Sequence, residues 1–223
     1  VKNSLILFLA FFVVVNIADA RRGSKKAGEV EKGVYTDAIY GFSLSFPDAW
    51  DVSVKKDDQD IRVVLTKKEY EVPMAFQHAP NYTTVPKITV IADTSTMSLP
   101  VFVDSLLSDN YKTDQKKNIL SETKILFGDF QERSRTRQSI GGYEGIILGG
   151  RQQYTIQVQR QGSESDKADV VTDYYGGAVA FVRNTDNNTL LVINFICEDR
   201  YFSHLEKEFM GIVNTLKFGG EKE

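Results

Sequence analysis

Thr189-Leu190-Leu191-Val192-Ile193-Asn194-Phe195-Ile196-Cys197 is apolar at both parities. Successive side chains of a strand point to opposite faces. Leu190, Val192 and Ile196 therefore take one side, and Leu191, Ile193, Phe195 and Cys197 the other. A strand that is apolar on both faces is covered on both. The stretch predicts the central strand of a sheet that lies between two further layers.

The flanks extend the pattern. Thr185-Asp186-Asn187-Asn188 is turn chemistry and joins the run to a strand over 170–183 as a hairpin. After it, Phe202, Leu205, Phe209, Ile212 and Leu216 recur at steps of three and four, which predicts an amphipathic helix over 199–217. Asp199 is its expected N-cap, and Gly219-Gly220 its stop.

Toward the N-terminus, Tyr143-Glu144-Gly145-Ile146-Ile147-Leu148 reads as a strand bracketed by Gly141-Gly142 and Gly149-Gly150, glycines of turns or strand ends. Residues 151–159 alternate, and 162–167 form a polar turn. Residues 119–127 read as a strand, and 128–137 as a polar connection or its extension. Ser98-Leu99-Pro100 opens a helix. Phe102, Val103, Leu106, Leu107 and Tyr111 share one side of it, and it is expected to end near 110–112. Residues 87–93 are a strand. Residues 68–86 carry Pro73, Pro80 and Pro86 and read as a long loop.

The first strand is Phe42-Ser43-Leu44-Ser45-Phe46, apolar on one face and serine on the other. Pro47 cannot donate to a ladder, so this strand ends or bends there, at an edge. Trp50–Val54 and Ile61–Lys67 follow as strands around a polar turn at 55–60. Trp50, the single tryptophan, is expected as a core plug that ties the first strand to a helix. Together these elements predict an α+β fold, an α/β/α sandwich with a mostly antiparallel central sheet and helices on both faces.

Composition narrows the class. A chain of 223 residues with 42% hydrophobic and 26% charged residues is an ordinary globular chain, with room for one domain and a targeting segment. A formal charge of −3 lacks the basic surplus of a nucleic-acid binder. Residues 5–15 are an unbroken apolar run, and Ala18-Asp19-Ala20 follows, the pattern of a signal peptide cut after Ala20. The run is shorter than the roughly 20 residues of a spanning helix. Arg21, Arg22, Lys25 and Lys26 resist export, so an uncleaved anchor is the alternative. The expected organisation is a signal peptide at 1–20, a flexible charged linker at 21–36, one domain at 37–218 and a tail at 219–223. The expected location is periplasmic or secreted.

Candidate chemistry is sparse. Cys197 is the single cysteine, so the fold has no intrachain disulfide. Its parity with Ile193 and Phe195 makes it a buried, inert thiol. His78 and His204 have no partner at metal-ligand spacing. Asp57, Asp58 and Asp60 lack the glycine and distal glutamate of a calcium loop and read as a solvated turn. Arg133, Arg135 and Arg137 alternate. On an extended segment they share one face, which is either a contact for an anionic partner or the charged guard of a sheet edge. Tyr174-Tyr175-Gly176-Gly177 reads as a bulged strand, with a contact patch as the alternative. Asn81 and Asn187 begin Asn-x-Thr sequons. No nucleophile elbow, phosphate loop or dinucleotide motif is present. No catalytic residue, metal ligand or cofactor is assigned.

Two stretches carry a resemblance. Gly41-Phe42-Ser43-Leu44-Ser45-Phe46-Pro47-Asp48-Ala49-Trp50 resembles the opening of PsbP-like domains. Phe209-Met210-Gly211-Ile212-Val213-Asn214-Thr215-Leu216-Lys217-Phe218 is similar to the closing segment of that family. The resemblance runs over about residues 35–218 in element order. It implies the α/β/α sandwich and a non-enzymatic domain that binds or assists another component, and it supplies no catalytic residues. The expected function is an extracytoplasmic binding or accessory domain for a protein or envelope component, without nucleic acid. Membrane contact enters only through an uncleaved N-terminus. The alternatives are a hydrolase whose carboxylates converge in the fold, and a membrane-tethered envelope domain.

Overall fold

A computed structural model describes residues 25–69, 86–108, 130–158 and 169–219, with the side chains of 153–158 and 169–173 left aside. The signal segment, His78, Asn81 and the strand expected at 119–127 lie outside the described residues. Among those described, two sheets form. A small one has the order β1-β2-β3-β11, from β1 (Glu29–Glu31), β2 (Val34–Asp37), β3 (Phe42–Ser45) and β11 (Lys217–Phe218). The large one has seven strands in the order β4-β5-β6-β10-β9-β8-β7. They are β4 (Trp50–Val54), β5 (Ile61–Lys67), β6 (Lys87–Thr94), β7 (Phe130–Ile140), β8 (Tyr143–Val158), β9 (Asp169–Asn184) and β10 (Thr189–Glu198). Every pairing is antiparallel.

β10 is the middle strand, and its two faces enter separate cores as its sequence predicts. Leu190 and Val192 join one core with Phe181, Ile146, Leu148 and helix α1 (Leu99–Leu107). Leu191, Ile193, Phe195 and Cys197 join the other, with helix α2 (Asp199–Val213) and the small sheet. A helix thus lies on each face. The layer beside α2 also holds a four-stranded sheet, which the sandwich expectation does not contain.

The small sheet revises several sequence expectations. Residues 29–37, largely within the span read as linker, form β1 and β2. Lys32 and Gly33 turn between them with φ of 48° and 74°, the geometry of a tight hairpin. One apolar residue in Glu29-Val30-Glu31 gives no periodic signal, and pairing with β2 makes the strand. The helix expected to reach 217 ends at Val213, and Lys217–Phe218 pairs with β3 as β11. Glu198, rather than Asp199, is the N-cap residue. β3 lies inside the small sheet between β2 and β11, so it is not an edge. Pro47 instead marks the bend where the chain leaves the small sheet for the large one, with Trp50 N–H donating to the Pro47 carbonyl at 3.1 Å.

Two glycine readings also change. Gly149 and Gly150 lie inside one continuous β8, and Gly176 and Gly177 pair in unbroken register with β8 and β10. No bulge forms at the second pair. A side chain at Gly150 would place its Cβ 2.5 Å from the Phe130 ring, and one at Gly176 would lie 2.5 Å from Phe202 Cβ. These glycines admit aromatic neighbours. Gly141-Gly142 is a true turn, with φ of 59° and 88°.

Candidate functional site: an arginine–tyrosine face

The register of the large sheet shifts between Ile61 and Val63 on β5 and again on β7, and the second shift turns the arginines. Register shifts between Glu132 and Ser134, so Arg133 is an extra residue on that strand. An extra residue inverts the facing of all that follows. Arg135 therefore points to the α1 side, where its guanidinium donates to Glu132 and to Asp104 of α1, both at 2.8 Å. Arg133 reaches Asp199 at the start of α2, 4.0 Å away. The expectation that Arg133, Arg135 and Arg137 share one side is corrected by this bulge. The hydrogen bonds that Arg135 donates to Glu132 and Asp104 hold its guanidinium above its ordinary pKa despite its desolvation. Arg135 is neutralised by two acids, and the α1 side of β7 is a guarded edge rather than an anion site.

The α2 side differs. Gly176 lets Phe202 lie on the sheet, where Phe195 stacks between Phe202 and Phe209 at centroid distances of 6.1 and 5.4 Å. That stack fixes the first turn of α2 over the ends of β7, β8 and β9. Arg151 of β8 lies 4.1 Å from the Tyr174 ring and donates to Gln131 at 3.3 Å. Arg200 lies 4.9 Å from the Tyr201 ring, and its Nε donates to buried Glu198 at 2.7 Å. Tyr175 shares the parity of Val179 and Phe181 and therefore points to the α1 side, away from this face. Arg133, Arg200 and Tyr201 are 52%, 56% and 40% exposed. The face thus gathers Arg133, Arg151, Arg200, Tyr174 and Tyr201. Arg and Tyr are the side chains that dominate protein interfaces. Of these, Arg133 and Tyr174 were legible as candidates. Arg151, Arg200 and Tyr201 were missed: Arg151 meets Tyr174 only through the β8–β9 pairing, and Arg200 and Tyr201 reach the face only through the packing of α2 on the sheet. Beyond the face, residues 153–158 and 169–174 continue as a paired ribbon, with no third strand beside them among the described residues.

The other candidates are structural. Asp57, Asp58 and Asp60 occupy the β4–β5 turn, whose Asp57 and Gln59 carbonyls accept from Arg62. His204 is exposed on α2. Among the described residues no three His, Cys, Asp or Glu side chains gather as a metal site.

Cys197 is buried at 1% exposure, and burial pushes its thiol up to about 12, with the charges of Asp199, Glu198 and Glu206 adding. Below the ordinary value of 9.0 both folded and unfolded thiols are protonated, and the contribution to stability is complete. Above it, the unfolded chain releases a proton that the folded chain keeps, so stability falls as pH rises toward about 12. Urea midpoints are expected to drop through this window, the thiol contributing at most about 1.4 kcal/mol per pH unit. Cys197→Ala should flatten the profile. An identical profile in that variant would assign the alkaline loss elsewhere.

No family model matches the chain, and no curated protein sequence matches it. Solved structures do. LpqN of Mycobacterium tuberculosis, described as involved in cell envelope biogenesis, is 14% identical over 80% of this chain and 83% of its own, with a TM-score of 0.47. The cyanobacterial PsbP (CyanoP) of Synechocystis sp. PCC 6803 is 14% identical over 88% and 98%, with a TM-score of 0.46. The Ran-binding protein Mog1p of Saccharomyces cerevisiae is 11% identical over 85% and 96%, with a TM-score of 0.42. The solved structures similar to this chain thus include a PsbP, from the family that its opening strand and closing segment resemble.

Proposed function

We propose that this chain is a non-enzymatic binding domain that works outside the cytoplasm and docks on a protein partner through the arginine–tyrosine face. The observation that carries the reading is the convergence of Arg133, Arg151 and Arg200 with Tyr174 and Tyr201 beside the first turn of α2. Arg151 and Arg200 lie against phenol rings, and a planar guanidinium held this way loses less entropy per hydrogen bond formed. A partner with exposed carboxylates fits this chemistry. The sequence resemblance to PsbP-like domains supports a role without catalysis, and the apolar run with Ala18-Asp19-Ala20 supports export. Among the described residues no helix is long and apolar enough to cross a membrane.

The hydrolase alternative needs two facing acids. A cleft of about 940 Å³, lined by Ser43, Tyr143, Asn184, Asp186 and Lys217 among others, has Asp186 as its one carboxylate. It therefore lacks the pair that such hydrolysis uses.

Reversing charge in the triple variant Arg133→Glu, Arg151→Glu, Arg200→Glu tests the proposal. A photo-crosslinker placed at Tyr201 of the otherwise unchanged chain should capture one defined partner from envelope extract. The triple variant, with the same far-ultraviolet circular dichroism, should lose that product at least about tenfold, as for charged hot-spot contacts. Equal capture by the variant would remove the face from the interaction, and no defined product would remove the protein-partner reading.

A further inference from the structure

At the end of the sheet opposite the arginine–tyrosine face lies a cleft of about 940 Å³. Three turns build it: the β7–β8 turn at Gly141, the β9–β10 turn at 184–187, and the segment after α2. Its walls are fixed. Gly141 has φ of +59°, and a Cβ there would stand 2.3 Å from the Leu216 carbonyl oxygen, so only glycine seats this turn against the α2 exit. Thr215 Oγ1 ties the same exit to β3, accepting from Ser45 N–H at 2.8 Å and donating within reach of the Ile212 and Ser45 carbonyls. The β9–β10 turn is locked by side chains. Asn184 Oδ1 accepts from Asp186 N–H at 2.9 Å, and Asn187 Oδ1 accepts from Thr189 N–H at 3.0 Å.

Those two bonds determine what the cleft offers. An acceptor of a backbone N–H must be the amide oxygen, so the NH2 ends of Asn184 and Asn187 are the ends left over. Asn184 is 5% exposed and lines the cleft, and no acceptor among the described residues takes its Nδ2. Lys217 and Asp186 line the same cleft, neither in an ion pair among the described residues. Ser43 and Tyr143 add hydroxyls that donate and accept. Tyr143 and Phe218 meet edge to face at 4.6 Å and present a partly exposed aromatic surface.

We propose that this cleft binds a neutral saccharide. Each hydroxyl of a sugar both donates and accepts, and here amide and ammonium donors stand beside a carboxylate acceptor. An anion meets Asp186, and a cation meets Lys217, so a neutral ligand satisfies both without repulsion. The apolar C–H face of a pyranose suits an aromatic surface. The volume falls in the usual range of ligand sites, about 300–1,000 Å³. This site is separate from the proposed protein-docking face and does not depend on it.

The test is titration of the 15N-labelled chain with neutral di- and trisaccharides of glucose, galactose, mannose and N-acetylglucosamine. Inorganic phosphate and glycine serve as anionic and zwitterionic controls. The expected result is a saturable amide shift from at least one saccharide, confined to Tyr143, 184–189 and 214–219. Asp186→Ala keeps the N–H that Asn184 holds, so it preserves the turn. It should weaken binding about tenfold or more. Asn214→Ala, exposed on the cleft wall, is a second variant expected to weaken it. No saturable shift from any saccharide overturns the proposal, as do shifts of these residues produced by phosphate or glycine instead.

Discussion

Arg62→Met is expected to lower the unfolding free energy by about 3–5 kcal/mol, the usual cost of breaking a buried ion pair from one side. Arg62 and Asp37 have side chains 1% and 0% exposed, and their Nε–Oδ2 distance is 2.7 Å. Asp37 Oδ2 also accepts from Tyr35 Oη at 2.8 Å, and Oδ1 accepts from the N–H groups of Ile39 and Tyr40, both at 3.0 Å. Arg62 Nη1 donates to the Asp57 and Gln59 carbonyls at 3.1 and 2.7 Å, and Nη2 to the Ala27 carbonyl at 3.3 Å. Burial opposes the Arg62 charge, but the hydrogen bond and charge of Asp37 outweigh it and raise its pKa. Burial first, and then Asp37, likewise push the Tyr35 hydroxyl well above its ordinary value.

Methionine keeps about the same volume and removes every bond that Arg62 makes, leaving the buried Asp37 carboxylate without its counter-charge. Arg62→Lys should be nearly as costly, because an ammonium cannot reproduce the fork. The pair joins β2 of the small sheet to β5 of the large one, so its loss loosens the contact between two layers. Urea unfolding measures the effect, and a loss below about 1 kcal/mol would mean that the pair is solvated. A double variant with both partners apolar should recover much of the loss, because no charge is then stranded.

Trp50→Ala should cost a comparable amount, about 3–5 kcal/mol. The ring is 2% exposed in the core beside α2. Lys67 closes over it, with Nζ 5.3 Å from the ring centroid and 2.6 Å from Glu208 Oε2 of α2. The indole therefore joins the bend after Pro47 to the helix layer. Its Nε1 is buried without a hydrogen-bond partner, so Trp50→Phe forfeits no bond and should cost far less than the alanine variant. If alanine and phenylalanine were equally destabilising, packing of the ring would not be the cause.

The candidate face shows where sequence reading stops. Arg133, Arg135 and Arg137 follow a period of two, yet one extra residue in β7 sends Arg133 to α2 and Arg135 to α1. Nothing local marks that insertion, since the bulge is defined against Gly149 and Gly150 of the partner strand. Gly176 is similar. As a sequence feature it suggests a break, but in the fold it is a regular strand position emptied for Phe202. Arg151 and Tyr174 become partners because the β8–β9 register places Gln152 opposite Tyr175. The saccharide cleft is still less legible, being made by three turns from distant parts of the chain.

The sequence by itself determined the layered plan. A strand apolar on both faces has to be central, and Leu190–Cys197 is the middle strand of seven. It also determined both helices' apolar sides, the buried thiol and the tryptophan in the core, since each follows from periodicity and the cost of exposing apolar surface. The tertiary structure alone decided the small sheet, the facing of the arginines and both candidate surfaces. Glu29–Glu31 and Lys217–Phe218 are strands because neighbours supply their hydrogen bonds, and the functional side chains meet because register and bulge bring them together. Those are relations between segments, and no local pattern encodes them.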